Sequence, residues 1–490
     1  MTRDWLHVAT LTLTYLDWTI LVYFLFVNSF YALLLLSAAW EMLKHRRQIR
    51  GESHWRILGS GVAPNITMLA PAYNEAATIR ESVHAILSLH FPNLEVLVVN
   101  DGSTDETLAV LKEHFDLVPI HPIYRRQIAS KTIRGLYRSS SRSNLLVVDK
   151  DNGGKADALN AGLQMATGTL VCAMDADTLI EPDALLRMVR PFLLNGDVLA
   201  AGGTIRVVNG SHVQKGRVVT PHISCEPIAG FQTVEYLRAF LFGRLGWNRL
   251  GGNLIISGAF GLFRREAMIA AGGYAHDTVG EDMELVLRLR RQGYESNGPH
   301  RIDFVPDPVA WTEAPASPRI LGRQRDRWHR GLADTLWRHC RLLFNPRYGA
   351  MGLVVYPYFL FVELLAPVME ALGLCGLTVG LAAGIIDLPF AVLYFLVAYG
   401  YGIVLSAFSL ALDEINFHRY EGWRDRLLLI MWAMLEPFGY RQLTVFWRLR
   451  GLVRFWRGRM EWGTMERRGF HRSERSGPAL ANERALVVKS

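Results

Sequence analysis

Leu170-Val171-Cys172-Ala173-Met174-Asp175-Ala176-Asp177 runs five apolar residues straight into two carboxylates spaced one residue apart. The apolar run has the length of a strand buried on both faces. Such a strand ends at the rim of its sheet and delivers Asp175 and Asp177 to an edge that faces solvent or ligand. Residues i and i+2 of an extended chain point the same way, so both carboxylates can converge on one cation. Oxygen-only ligation suits a hard divalent ion, Mg²⁺ or Mn²⁺. A lone D-x-D is also an ordinary strand cap, and the rest of the chain has to decide between the two.

Half of the 490 residues are apolar, and the excess is gathered in blocks at 18–40, 354–386, 388–412 and 427–446. A membrane helix needs about 20 largely apolar residues, so at least three of these blocks are candidates. They divide the chain into an N-terminal membrane anchor (1–50), a globular middle (51–345), C-terminal transmembrane and interface helices (346–450) and a basic tail (451–490). Lys44-His45-Arg46-Arg47 follows the first block, whereas only Arg3 precedes it. The positive-inside rule then places the N-terminus outside and the globular middle in the cytosol of a multi-pass protein of the plasma or inner membrane. The first block is too long for a signal-peptide core and reads as a retained anchor. Glu363, Pro367 and Glu370 interrupt the second block and Glu436-Pro437 the last, which favours a re-entrant last segment or one more crossing in the second block. Cys172, Cys225, Cys340 and Cys375 show no metal or redox spacing and read as buried thiols in a reducing compartment. The net charge of +8 owes much to the arginines of the tail. Interleaved with Trp447, Phe455, Trp456 and Trp462 beside a membrane segment, they point to lipid headgroups and not to nucleic acid.

Within the middle, 65–70 reads as a strand, followed by Pro71-Ala72-Tyr73-Asn74-Glu75 and a helix through Leu89. Residues 94–99 form the next strand, and Asn100-Asp101-Gly102-Ser103-Thr104-Asp105 the turn into a helix ending near Phe115. The basic stretch 119–144 lacks a period and is expected to be a loop or insertion. A third strand, 145–148, leads through a Gly-Gly turn at 149–155 into a helix over 156–166, and the opening strand follows. Strand and helix alternate four times, which predicts a largely parallel, doubly wound α/β sheet. Ligands of such sheets bind beyond the carboxyl ends of the strands. Glu75, Asp101, Lys155, Asp175 and Asp177 would therefore share one rim, although they span over a hundred residues of sequence. A carboxylate rim tolerates an anionic substrate when a cation bridges them, and Lys155 beside two glycines offers charge and free N–H groups to phosphate. These parts fit a nucleoside diphosphate held through a metal. No Walker-type G-x-x-x-x-G-K-S/T is present, and Gly59-Ser60-Gly61 precedes the first strand, which removes kinase, ATPase and dinucleotide-binding readings.

Further on, 202–231 is expected to hold short strands and loops and 232–244 a helix, with Glu235 and Arg238 spaced for an ion pair. The run 253–263 reads as a strand with tight backbone approach, and Ser257 to Phe260 are candidates to line a sugar pocket. Gly280-Glu281-Asp282 opens a helix, where an acid is either a cap or a general base for an acceptor hydroxyl. Gln324, Arg327 and Trp328 share one face of a helix starting near Ser317. A Trp offers a stacking platform for a sugar, and an Arg alongside neutralises a diphosphate. The same trio would also suit packing against the membrane surface.

In order, Asp101, Asp175-Ala176-Asp177, Glu281-Asp282 and Gln324-x-x-Arg327-Trp328 resemble the signature of the processive family-2 glycosyltransferases, which include cellulose, hyaluronan, chitin and poly-N-acetylglucosamine synthases. Pro71-Ala72-Tyr73-Asn74-Glu75 and Gly153-Gly154-Lys155-Ala156 add to the likeness, which covers 65–341. The resemblance implies a GT-A fold flanked by membrane helices and a UDP-sugar donor. It implies that Glu75 and Asp101 bind uridine, that Lys155 and Asp175 contact the nucleotide, and that Asp177 ligates the metal. The Glu281-Asp282 pair would be catalytic, with Asp282 the base. Gln324 and Arg327 would hold the diphosphate or donor, and Trp328 the acceptor. The product would be a β-linked polysaccharide, passed across the membrane alone, as a homo-oligomer or with export partners. A glycolipid synthase adding one or two sugars to a lipid is the runner-up, and a silent scaffold of a secretion complex is a third reading. Two departures stand out: Gly280 replaces the Thr common before the Glu-Asp pair, and a single clear span precedes the catalytic region.

Overall fold

In the computed structural model, residues 2–49, 61, 63–121, 124, 126–175, 178–214 and 216–459 are described. Asp177, and the tail residues beyond Arg459 such as Trp462, lie outside them. The chain opens with a 48-residue helix, α1 (Thr2–Ile49). The globular middle is a ten-stranded mixed sheet with the order β3-β4-β5-β2-β1-β6-β11-β8-β12-β7. Its first half contains β1 (Ile66–Ala72), β2 (Leu94–Asp101), β3 (Leu117–Ile120), β4 (Ile133–Ser139), β5 (Leu145–Lys150) and β6 (Leu170–Met174). The strands β5, β2, β1 and β6 are mutually parallel, joined by helices α2 (Ile79–Leu87), α3 (Thr107–His114) and α4 (Lys155–Met165). Alternate residues supply two cores: Met68, Val96, Val98 and Cys172 face one side, whereas Leu69, Leu97, Val99 and Val171 face the other with α4. That burial on both faces is why these strands read as continuous apolar runs.

The second half adds β7 (Leu179–Ile180), β8 (Val198–Val207), a small hairpin of β9 (His212–Gln214) and β10 (Arg217–Thr220), then β11 (Phe260–Arg264) and β12 (Arg301–Thr312). β11 is antiparallel to both β6 and β8, so the sheet is mostly but not wholly parallel. Between them run α5 (Pro227–Phe240), a π-helical turn at Leu241–Leu245, and, after β11, α6 (Glu281–Glu295) and α7 (Pro318–Arg338).

Four sequence expectations are corrected. Within 119–144, expected as a loop or insertion, Ile133–Ser139 is β4, which pairs antiparallel with β3 and β5 and closes one edge of the sheet. The proline in β3 and the two arginines on the half-exposed face of β4 hid the strand pattern. Residues 198–207 form a single ten-residue strand in which every residue is buried. Only 260–264 of the run from Asn253 is strand. Of the cysteines, Cys172 alone is buried; Cys225, Cys340 and Cys375 are exposed.

Among the described residues two helices are long and apolar enough to cross a membrane, Thr10–Arg47 within α1 and α9 (Leu388–Phe417). A third candidate is the pair Met351–Leu364 and α8 (Ala366–Ala382), bent by 42° at a break before Pro367. Pro367 supplies no N–H to the helical ladder, so the bend falls there. The last apolar block splits at Pro437 into α10 (Trp423–Leu435) and α11 (Tyr440–Trp456), and neither half qualifies as a span.

Candidate active site

At the rim, Asp101 ends β2 and is buried. Its Oδ1 accepts from the Lys150 ammonium at 2.5 Å and the Gly153 N–H at 3.0 Å, and its Oδ2 accepts from the Gly154 N–H at 2.8 Å. Lys150 is wholly buried and also pairs with Asp157 at 2.6 Å. A buried ion triad therefore holds the Gly-Gly turn from beneath. Gly154 takes φ +85, open to glycine at no steric cost, and α4 begins there with no side chain capping its N-terminus. The Gly153 and Gly154 N–H groups expected to be free for phosphate are thus taken by Asp101, which leaves the first turn of α4 and Lys155 to meet an anion.

Lys155 donates to Asp175 Oδ1 and lies 3.9 Å from Glu281. Burial alone would lower the Lys155 pKa, but Asp175, Glu281 and Asp282 together raise it above its usual value. Burial raises the Glu281 pKa from its ordinary value, Lys155 opposes that, and Asp282 adds to it. Asp282 stands in the first turn of α6, its Oδ1 accepting from the Met283 N–H at 2.8 Å and its Oδ2 from the Gly258 N–H at 3.0 Å. A Cβ on Gly258 would sit 3.2 Å from the Lys155 nitrogen and 3.3 Å from Asp282 Oδ2, so glycine leaves that space to ligand or carboxylate. Gly280, where the family commonly has Thr, meets Gly331 of α7 backbone to backbone: a Cβ there would lie 3.0 Å from the Gly331 Cα. The two glycines bring the start of α6 against α7, so the departure from Thr is matched by close packing.

α7 carries Gln324, Arg327 and Trp328 into the same cavity as Lys155, Asp175, Glu281 and Asp282. Trp328 is 41% exposed, with the Arg325 guanidinium 4.6 Å from its ring centroid. Behind it, the buried Asp326 carboxylate accepts from Arg330 at 2.9 Å, Arg450 at 2.8 Å and Arg454 at 3.0 Å, tying α11 to α7. The cavity holds about 960 Å³ and continues between α1 and the C-terminal helices, past Asn28, Tyr31, Glu363, Glu370 and Arg441. Its charges there are matched: Arg441 forks onto Glu370 at 2.8 and 2.9 Å, and Arg238 onto Glu436 at 2.9 Å. The expected Glu235–Arg238 pair is thereby corrected. Arg238 turns to Glu436, and Glu235 accepts from Arg325 at 2.7 Å and Tyr440 at 2.8 Å. Partners on other helices outcompete the helical neighbour.

Seven of the site residues read from the sequence thus line one cavity: Lys155, Asp175, Glu281, Asp282, Gln324, Arg327 and Trp328. Ser257, Gly258 and Ala259 line it too. Asp101 lies beneath the Gly-Gly turn, and Glu75 holds Thr78 at 2.6 Å beside the rim; neither is part of the lining. Lys150 and Arg244 escape sequence reasoning, because neither belongs to a motif. A lysine inside an otherwise apolar strand end was the available signal for the first.

This fold and site define a glycosyltransferase domain: residues 67–270 match the description Glycosyl transferase family 2, and residues 170–405 match Glycosyl transferase family group 2. These two stretches carry the family's sequence pattern, and the fold is GT-A. Among curated proteins it is 27% identical over 274 residues to poly-beta-1,6-N-acetyl-D-glucosamine synthase of Staphylococcus aureus (strain COL), covering 56% of each chain. It is 28% identical over the same length to the synthase of that name from Staphylococcus epidermidis. The chain spans about half the length of these curated relatives. Among solved structures, the mannosyltransferase PcManGT from Pyrobaculum calidifontis, in complex with GDP-Man and Mn²⁺, superposes with a TM-score of 0.50. It is 20% identical, over 88% of this chain and 99% of that one.

Proposed function

We propose that this protein is a membrane-bound inverting glycosyltransferase that moves a sugar from a UDP-sugar onto a growing β-linked polysaccharide and passes the product into the membrane. One observation carries the reading: a single cavity joins the acids at the strand ends to a polar, charge-matched path between the membrane helices. A glycolipid acceptor of one or two sugars needs no such path. The Staphylococcus relatives, named as synthases of a β-linked polysaccharide, support it.

In this reading the nucleotide diphosphate lies over the start of α4, with Lys155 and Arg327 balancing its charge. The acceptor hydroxyl gives its proton to the Asp282 carboxylate as its oxygen bonds to the anomeric carbon. The bond from that carbon to the diphosphate oxygen breaks on the opposite side, and the electron pair leaves with UDP. A single displacement on an α-linked donor gives a β-linkage. Gly258 and Met283 N–H groups hold the base in place. Trp328 offers its ring to the acceptor sugar. Among the described residues no three His, Cys, Asp or Glu converge to hold a metal unaided. The oxygen-only set of Asp175, Asp177 and the incoming diphosphate still fits Mg²⁺ or Mn²⁺, which characteristically bind through one or two carboxylates plus phosphate. When bound, such an ion stabilises charge on the leaving diphosphate. The catalytic domain faces the cytosol by the charge rule, on the side of Lys44 to Arg47.

The test is incubation of purified full-length protein with labelled UDP-glucose, UDP-N-acetylglucosamine and GDP-mannose, with Mg²⁺ or Mn²⁺. Long polymer from a UDP-sugar is the expected result. Transfer of single sugars to lipid would sink the processive part, and use of GDP-mannose alone would sink the donor assignment.

A further inference from the structure

Arg244 lines the cavity that holds Asp282, yet it belongs to no motif. It sits where α5 widens into the π-helical turn Leu241–Leu245 before resuming at Gly246. Such turns are rare inside helices and re-aim the side chains they carry. The N-terminal helix fixes this one. Ser37 donates to the Gly246 carbonyl at 2.9 Å, and a Cβ on Gly246 would meet the Leu34 carbonyl oxygen at 2.5 Å. The Arg244 guanidinium lies 4.4 Å from the Phe240 ring centroid, which supports one face of it. Its Nη1 is sealed from solvent and has no hydrogen-bond partner in the protein. Burial lowers the guanidinium pKa to about 10, with Asp282 and Tyr236 pulling the other way, so it remains cationic at neutral pH.

A guanidinium that lines the cavity shared with Asp282 and keeps a donor unpaired within the protein calls for an oxygen acceptor from outside the chain. A guanidinium has donors only, so its ligand offers lone pairs: a hydroxyl, ring or carbonyl oxygen of a sugar, or a phosphate oxygen. Two cations already stand where the diphosphate is placed, Lys155 at the start of α4 and Arg327 on α7. Arg244 instead extends the helix that carries Glu235 and Arg238 along the path toward the membrane. We propose that Arg244 binds the terminal sugar of the saccharide acceptor, donating from its guanidinium to one of its oxygens and so holding the attacking hydroxyl against Asp282. This rests on the transferase reading above.

Purified full-length Arg244→Met and Arg244→Lys are compared with wild type on the UDP-sugar that wild type consumes. Labelled sugar is counted separately in saccharide and in water, and UDP affinity is measured by titration. The ratio of elongation to hydrolysis is expected to fall about tenfold or more in Arg244→Met, with partial recovery in Arg244→Lys and UDP affinity within about twofold of wild type. An unchanged ratio overturns the assignment. Loss of both reactions together with weakened UDP binding overturns it too, making Arg244 a diphosphate ligand. Loss of the folded species in both variants makes it a packing residue and likewise overturns it. A wild type that consumes no UDP-sugar contradicts the transferase reading itself.

Discussion

Asp326→Asn probes how the Gln324-x-x-Arg327-Trp328 helix is held. The carboxylate is buried and pairs with Arg330, itself 6% exposed, and with Arg450 and Arg454, whose side chains are 35% and 43% exposed. Breaking a buried ion pair by removing one charge costs about 3–5 kcal/mol. The Asn oxygen still accepts one bond from Arg330, which places that contribution near the lower figure. Arg450 and Arg454 relax into solvent and add at most about 1 kcal/mol each. The sum, roughly 3–5 kcal/mol, lowers the thermal midpoint in detergent by at least about 5 °C. It also frees α11 from α7. Gly451 and Gly322 now bring the two helices together: Cβ atoms there would lie 2.7 Å from the Asp326 carbonyl oxygen and the Trp447 indole nitrogen. With Gln324, Arg327 and Trp328 displaced by even a fraction of an ångström, kcat/KM for transfer falls about 10- to 100-fold. Arg454→Ala alone, at the exposed end of the network, changes the midpoint by no more than about 2 °C. An Asp326→Asn protein with the midpoint and transfer rate of wild type would refute the reasoning.

Three further outcomes follow from the site. Asp282→Asn removes the base while keeping an acceptor for the Gly258 N–H, so transfer drops by about 10³-fold with UDP affinity within about twofold of wild type; measurable turnover near the wild-type rate rejects Asp282 as base. Glu281 has its pKa raised from 4.5 by burial, so its contribution to stability is present below the ordinary carboxyl range and is lost as pH rises through its folded value. Glu281→Gln therefore raises the thermal midpoint near pH 7, by a margin that shrinks toward about pH 4, and a margin that grows on acidification contradicts this. Gly280→Thr restores the residue common in the family but drives a Cβ onto the Gly331 backbone, costing about 1–3 kcal/mol and lowering transfer. The added Gly331→Ala change should worsen both effects, and wild-type behaviour of Gly280→Thr would show that α6 and α7 can separate freely.

Much of this was legible in the chain because parallel strands buried on both faces announce themselves. β1, β2, β5 and β6 stand within two residues of where their apolar runs place them, and the polar residues after each run fall at one rim. The antiparallel additions were not legible. β3 is a four-residue edge strand containing a proline, β4 beside it carries two arginines on a half-exposed face, and β8 holds two glycines within a fully buried run. Side-chain pairing was the least readable level. Glu235 and Arg238 are neighbours on α5, yet each is matched to a helix up to about two hundred residues away, since a buried ion pair forms wherever the packed helices present the better geometry. The motif residues supplied the candidates for chemistry, whereas Lys150 and Arg244 reach the site through position, which only the fold creates.

The central claim is the continuity of the cavity from Asp282 into the membrane. It is tested most directly in sealed proteoliposomes bearing the full-length protein with its catalytic domain outward, supplied externally with labelled UDP-sugar. The labelled polymer is then challenged with an external glycosidase active on it. The account predicts product that resists digestion until the vesicles are opened with detergent. Polymer digested in full from the outside, or label confined to single sugars on lipid, would contradict it.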